Sequence, residues 1–506
     1  MQLLIFLLFF GSDPGIADHY RAHIRFLASD VLKGRETTFE GQKIAAEYIA
    51  SQLALSGVAP AFPQTATPYF QSFELDVTVL TEETAYFQLR GNGPRENMIL
   101  DRDVFVRPIG NGKIEARAAL AFAGYGLETD YYNDYRDIDA KGKWILVMEG
   151  KPKGNGPDSP FRQDSVNGSI FLKYRRALMA GGLGLIILKK GSPREETGGS
   201  AAPHSMDFPG ITEEGSNLFP IVKVYEETWP TLFGREHSRF EKAVAAIDQE
   251  ERPHSFVLKR RTLEANLEIT VKRKTAENVV GILPGQDPEL GREYLVVSAH
   301  YDHIGVIEGR VYNGADDNGS GTATLLLLAE HLKNLPRKRG LMLLFVSGEE
   351  QGLLGSEFFT KHPAVDLEKI VADINMDMIG RNQPNQIGVI PSQIEGISTL
   401  NEILARVNQR PEHGLELLTN LDQYHSRSDH YNFVEKKIPA LFFFADVHED
   451  YHSPLDDWDR LDFDKLSRVY GLIEDFVVET LNEPERPVFI KKEDIPESQP
   501  ESPHGD

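Results

Sequence analysis

Cysteine is absent from the sequence, which removes disulfides, thiolate nucleophiles, thiolate-bound metals and thiol-linked lipids from consideration. Any metal would have to be held by His, Asp and Glu. Positive charge is scarce: 54 Lys and Arg stand against 77 Asp and Glu, a net charge of −23. Such a surface repels phosphate backbones, so nucleic acid is excluded as a partner. The apolar run at the start, Leu3 to Phe10, is too short to span a bilayer, and no Lys or Arg precedes it. The small residues that follow, ending Gly15-Ile16-Ala17, suit a secretory signal over 1–17 cleaved near Ala17, and predict export to the periplasm or the medium. What is present is ordinary for a globular chain, with 41% hydrophobic and 26% charged residues. At 506 residues it exceeds one core, and two or three domains are expected.

Three textures follow the leader. In residues 18–75, Ile44, Ala45, Tyr48, Ile49 and Leu53 recur at helical spacing, with Gly57 where a helix would stop. Residues 76–275 hold short apolar runs such as "ALAFAGYG", "KWILVMEG" and "GLGLIILKK" between Gly, Pro and Asp clusters, which predicts a β-rich domain with at least one helix before its last run. Residues 190–219 read as a long surface loop. From 276 to 482, the runs "YLVVSA", "LMLLFVS", "IVADINM" and "PALFFFA" alternate with helical patterns such as "GTATLLLLAEHLKNL". That alternation predicts an α/β fold, a mostly parallel sheet covered by helices on both faces. Residues 483–506, rich in Pro, Glu and Ser, are expected to be a disordered acidic tail.

Ligands of open α/β sheets bind beyond the carboxyl ends of the strands. Each apolar run of the third segment ends in potential metal ligands: "SAHYDH" brings His300, Asp302 and His303, "SGEE" brings Glu349 and Glu350, "INMD" brings Asp377, and "DYH" brings His452. Asp316 and Asp317 precede a Gly-Ser-Gly turn into a helix. Taken singly, each suits a bland role: acids favour a helix start, and a lone His is usually structural. Together, so many carboxylates in one crevice require cations.

"SAHYDH", "NGADDNGSG", "SGEEQGLLGS", "INMDMIG" and "DYHSPLDD" resemble, in order and approximate spacing, the di-zinc exopeptidase family that includes secreted bacterial aminopeptidases and glutamate carboxypeptidase. "HIRFLASDVLKGRET" resembles that family's N-terminal helix, and residues 76–275 resemble an inserted protease-associated domain. The resemblance implies two zinc ions per chain, with His300 and Asp377 on one, Glu350 and His452 on the other, and Asp317 bridging. It makes Glu349 the general base, Asp302 the carboxylate that orients His300, Tyr451 a donor to the oxyanion, and the Asp317-Asn318 peptide cis. Arg427, in a stretch that resembles the substrate loop, contacts substrate or forms a surface ion pair. His303 and Asp316 fall outside the implied ligands and are expected to be structural or supporting. Asp429 and His430 are open between a site role and loop hydrogen bonding. Asp456 and Asp457 are expected to cap a helix.

The implied activity is hydrolysis of N-terminal residues from peptides with a free amine. Three alternatives stand beside it: a glutaminyl-cyclase-like acyltransferase with one zinc, a carboxypeptidase of the same fold, and a non-catalytic receptor-like member. The retained ligand set weighs against the first and third. The lack of a basic cluster for a substrate carboxylate weighs against the second.

Overall fold

A computed structural model describes residues 14–490 except 92, 101, 108–109, 130, 155–158, 160, 162–168, 192–203, 210–217, 308 and 395. The expected leader up to residue 13, most of the 190–219 loop and the tail beyond Ile490 lie outside the described residues. The chain divides into two compact units, one from the described residues of Met1–Glu74 and Thr275–Asp506, the other from those of Leu75–Glu196 and Pro203–Lys274.

The first unit is built on a mixed sheet whose centre is parallel. Residues Val279–Leu283, the end of the long strand Phe256–Leu283, pair antiparallel with Gly340–Val346. That strand runs parallel to Tyr294–His300, which runs parallel to Ile370–Met376, and this in turn to Ala440–Phe444. Gln386–Ile390 closes that side antiparallel, with Glu416–Leu418 parallel beyond it. The three central strands read as near-continuous apolar runs because helices cover both faces. Successive side chains alternate between those faces. Leu341, Leu343 and Phe345 pack with Ile49 and Leu53 of the helix Glu40–Leu55, Leu325 and Leu328 of Gly321–Leu332, and Ile473 and Phe476 of Phe463–Asn482. Met342, Leu344 and Val346 pack instead with Phe359 of Leu354–Lys361 and Phe433 of His430–Glu435. Fully burying each such side chain is worth about 1.5–3 kcal/mol.

The strands and helices expected from the third texture therefore form where the pattern puts them. Ile44 differs: it lies on the exposed side of its helix, while Ala45, Ile49 and Leu53 face the core. The helix Pro14–Leu27 runs through the expected cleavage position near Ala17 and buries Tyr20, Ile24 and Leu27. Residues 483–490, expected to belong to the disordered tail, are held against the first unit. Thr399 N–H donates to Val488 O at 3.0 Å, Ile490 N–H to Ile397 O at 2.8 Å, and Arg486 pairs with Glu293 at 2.8 Å. Main-chain hydrogen bonds and one ion pair dock 486–490, contacts that the Pro- and Glu-rich composition conceals. Among the described residues, no helix is long and apolar enough to cross a membrane.

In the second unit, Gly112–Phe122, Trp144–Met148, Gly184–Lys189 and Ile221–Tyr225 run parallel in that order. The Thr262–Ile269 part of the long strand pairs antiparallel with Gly112–Ala119. Trp144, Phe122, Phe233 and Phe240 fill its core. The helix Ile170–Met179 precedes Gly184–Lys189 as the pattern suggested, whereas the helix His237–Glu250, with only Phe240, Ala243 and Ile247 buried, gave no clear sequence signal. Leu343→Ala, on the helix-covered face of the first unit, is expected to cost about 2–5 kcal/mol. The measurement is the urea midpoint of that unit, and an unchanged midpoint would contradict the packing.

Candidate metal centre

Parallel register brings the carboxyl ends of the central strands level, with His300 opposite Val346 and Met376 opposite Phe443. The next residues of each strand turn into the same crevice. His300 closes its strand with Nδ1 3.2 Å from Asp302 O and 3.7 Å from Asp302 Oδ1. This aims Nε2 at Asp377 Oδ1, 3.2 Å away, and Asp317 Oδ1, 3.4 Å away, with Glu349 Oε2 at 4.0 Å. On the other side, His452 Nε2 lies 3.1 Å from Asp317 Oδ2 and 3.2 Å from Glu350 Oε2. Asp317 thus presents one oxygen to each group. Its segment, Ala315–Ser320, leaves helical geometry at Asp317 and Asn318, and the peptide between them is cis, the form the resemblance implies.

The supports are equally specific. Thr37 Oγ1 donates to Asp302 Oδ2 at 2.8 Å, and Glu349 N–H to Asp302 Oδ1 at 3.3 Å. Ser428 Oγ donates to Asp377 Oδ2 at 3.0 Å and accepts from Asn375 Nδ2 at 2.8 Å. Thr37, Ser428 and Asn375 were missed in the sequence, where a hydroxyl or an amide outside a ligand pattern carries no signal. His303, set aside in the sequence reading, lies inside the cluster with Nδ1 2.7 Å from Glu350 Oε1. Asp316 is supporting: Oδ1 accepts Gly380 N–H at 2.7 Å and Oδ2 faces His448 Nε2 at 3.5 Å. The capping expectation holds for Asp457, which accepts Trp458 N–H at 2.7 Å, and fails for Asp456. Asp456 accepts the amides of Asp316 and Asp317 at 2.9 and 3.0 Å, because the chain after His452 folds back over that segment rather than starting a helix there.

Burial works against every charge in the crevice, and neighbouring charges decide the outcome. Burial holds the Glu349 carboxyl well above its ordinary value. For Glu350 the same penalty is outweighed by His452 and His303, which hold it well below. Burial acts to lower His300, yet Asp377 and Glu349 push it well above the imidazole range, and Glu350 and Asp317 do the same for His452. Buried Nε2 of His300, Oδ1 of Asp377 and Oε1 of Glu350 make no well-directed hydrogen bond among the described residues. Buried polar atoms are normally satisfied. A cluster of N and O donors whose lone pairs converge without partners fits divalent zinc. His300, Glu349 and Asp377 form one group with ligand atoms within 4.8 Å of one another, and His303, Asp317 and Glu350 form another. A third, Glu412, His413 and Asp475, lies toward the surface, where Arg410 Nη1 sits 3.1 Å from Asp475 and supplies the counter-charge.

A cleft of 290 Å³ opens onto the cluster. Asp317, Glu349, Glu350 and Asp377 line one side, and Met378, Phe442, Phe444 and Val447 form an apolar wall. Exposed Arg427 lines it as well. The Tyr451 ring stacks on His452 at 3.9 Å, and burial beside these carboxylates raises its phenol, keeping the proton available for donation. Asp429 lies off the cleft and accepts from Ser356 Oγ at 2.6 Å. His430 is buried with its ring stacked on Phe442 at 4.7 Å.

The sheet order and the donor cluster beyond its carboxyl edge define the class: this is a zinc-exopeptidase fold. Residues 278–477 match the model described as Peptidase family M28. The chain is similar to Aminopeptidase YwaD of Bacillus subtilis (strain 168), 28% identical over 239 residues that cover 46% of this chain and 50% of that protein. It is also similar to a probable leucine aminopeptidase of Trichophyton verrucosum (strain HKI 0517), 33% identical over 128 residues, 22% of this chain and 32% of that one. The matches thus span half or less of these curated relatives. Among solved structures, an aminopeptidase from Aneurinibacillus sp. strain AM-1 superposes with a TM-score of 0.64 at 18% identity, covering 93% of this chain and 95% of the other. The Bacillus subtilis zinc aminopeptidase BSAP gives 0.59 at 20%, covering 92% and 95%. At such identities the likeness is one of fold.

Burial holds His430 down to about 3, so the folded protein leaves it neutral where the unfolded chain, with an imidazole near 6.5, takes up a proton. Its contribution to stability is therefore present above about pH 6.5 and is lost as pH falls toward 3, by up to about 1.4 kcal/mol per pH unit. His430→Phe is expected to flatten the acid limb of the stability–pH curve by that amount, measured by urea titration between pH 4 and 7.

Proposed function

We propose that the protein is an exported metallo-aminopeptidase that removes N-terminal residues from peptides, with two zinc ions per chain. His300 and Asp377 hold one, Glu350 and His452 the other, and Asp317 serves both. The observation that carries this reading is the division of Asp317, with Oδ1 3.4 Å from His300 and Oδ2 3.1 Å from His452. Two bound zinc ions would supply a water of lowered pKa and a Lewis-acidic hold on the scissile carbonyl.

The chain's own residues do the rest. Glu349, 4.0 Å from His300 and left out of the five-residue set, takes the proton of the attacking water and passes it to the leaving amine. Asp302 fixes the His300 ring through Nδ1. Tyr451 donates its phenolic proton to the developing oxyanion. His303 steadies Glu350 by facing Oε1, which leaves Oε2 turned to His452. The apolar wall favours a large apolar N-terminal side chain, and Arg427 contacts the peptide beyond it. The leader over 1–17 directs export, and residues 76–275 form an inserted protease-associated domain.

Glu349→Gln is expected to keep two zinc ions per chain and to lose about 10²–10⁴-fold in kcat. The checks are metal analysis beside digestion of a peptide library with free and blocked termini. Cleavage should vanish when the amine alone is blocked and when a chelator removes the metal. Cleavage that needs a free carboxylate instead, or a single zinc with cyclisation of N-terminal Gln, would overturn the reading.

A further inference from the structure

The main chain of Asn313 to Asp317 is gripped from two sides by opposite charges. The Arg35 guanidinium, 1% exposed, donates from Nη1 to Asn313 O at 2.6 Å, from Nη2 to Gly314 O at 2.9 Å and from Nε to Tyr301 O at 2.7 Å. The Asp456 carboxylate, fully buried, takes the amides that follow, Asp316 on Oδ1 at 2.9 Å and Asp317 on Oδ2 at 3.0 Å, while Asp456 O accepts Ala315 N–H at 3.1 Å. Two successive carbonyls thus meet a cation, and three successive amides meet one anionic residue. Among the described residues neither Arg35 nor Asp456 has an ion-pair partner within 4.0 Å, so their directed bonds go to peptide groups while Asp317 and Asp302 act on Arg35 at longer range. The path depends on Gly314 at φ +59°, where a Cβ would fall 2.5 Å from the His303 ring.

Removing two ions from water is costly unless the geometry is well satisfied, and here the Asp456 carboxylate is engaged by the segment that carries Asp317, while Arg35 joins the carbonyls of Asn313 and Gly314 to those of Tyr301 and Leu27. We propose that Arg35 and Asp456 form a charged clamp that sets the Asp317 carboxylate in its bridging position before metal arrives. Asp456 also ties Asp317 to His452, since both residues belong to the loop after Ala440–Phe444 and Asp317 Oδ2 faces His452 at 3.1 Å. Both are positioning residues. The inference rests on the reading of Asp317 as the shared ligand.

The test compares wild type with Asp456→Asn, which keeps the shape but turns an NH₂ toward an amide, and with Arg35→Lys, which cannot reach all four carbonyls that Arg35 holds. Zinc affinity by chelator competition, kcat, KM and the melting temperature of chelated protein are measured together. Expected is about 10–100-fold weaker zinc binding with a similar fall in kcat and an unchanged KM. A lower melting temperature with wild-type zinc affinity and kcat would mean ordinary structural residues and overturn the clamp. If the variants fail to fold, hydrogen exchange of wild type decides. The amides of Ala315, Asp316 and Asp317 should stay protected after zinc is stripped, whereas protection that appears only with zinc overturns the inference. A wild type that binds no zinc sinks the proposed function instead, and the exchange result then rules on the clamp alone.

Discussion

Concentrated negative charge at the carboxyl edge of an otherwise apolar sheet is the constraint around which this molecule is arranged. Asp317, Glu349, Glu350 and Asp377 share one crevice, and Asp302, Asp316 and Asp456 are buried close behind them. A core of Leu, Val and Phe beneath offers no compensation for anions. The compensation comes from three imidazoles inside the cluster, one guanidinium behind it, and peptide amides that take up Asp302, Asp316 and Asp456. Divalent cations are the natural completion of such a set.

That constraint explains why support reaches the site from distant parts of the sequence. Thr37 and Arg35 come from the N-terminal segment, Ser428 from a loop ahead of the final strand, and Asp456 from beyond the last ligand. Each acts on a carboxylate of the cluster, or of its support, or on the main chain beside one. The N-terminal segment is therefore part of the site and more than a cover for the sheet.

Much of this could be read from the residues. The central strands were legible because continuous apolar runs of Val, Leu, Ile and Phe fit only where both faces of a sheet are covered, and the candidate ligands because carboxylates and imidazoles stood at the end of each run. His300, Asp317, Glu350, Asp377 and His452 do converge in one crevice. The failures have a common physical origin: where a side chain serves a backbone, local sequence says little. Asp456 looked like a helix cap because capping and catching loop amides ask for the same residue type. Arg35 gave no warning of being buried, since a guanidinium that binds carbonyls needs no acidic neighbour to advertise it. His303 was visible, and only the position of Glu350 decided what it does. The docked stretch near Ile490 was hidden by the polar composition around it.

Parallel order has a temporal consequence. The strands that deliver His300, Glu349 and Asp377 are made before the Ala440–Phe444 strand and the loop with His452 and Asp456. Until they arrive, the sheet lacks a neighbour for Ile370–Met376 and the crevice lacks a wall. A chain translated only as far as Pro439 thus has neither the full donor cluster nor the crevice that would hold it.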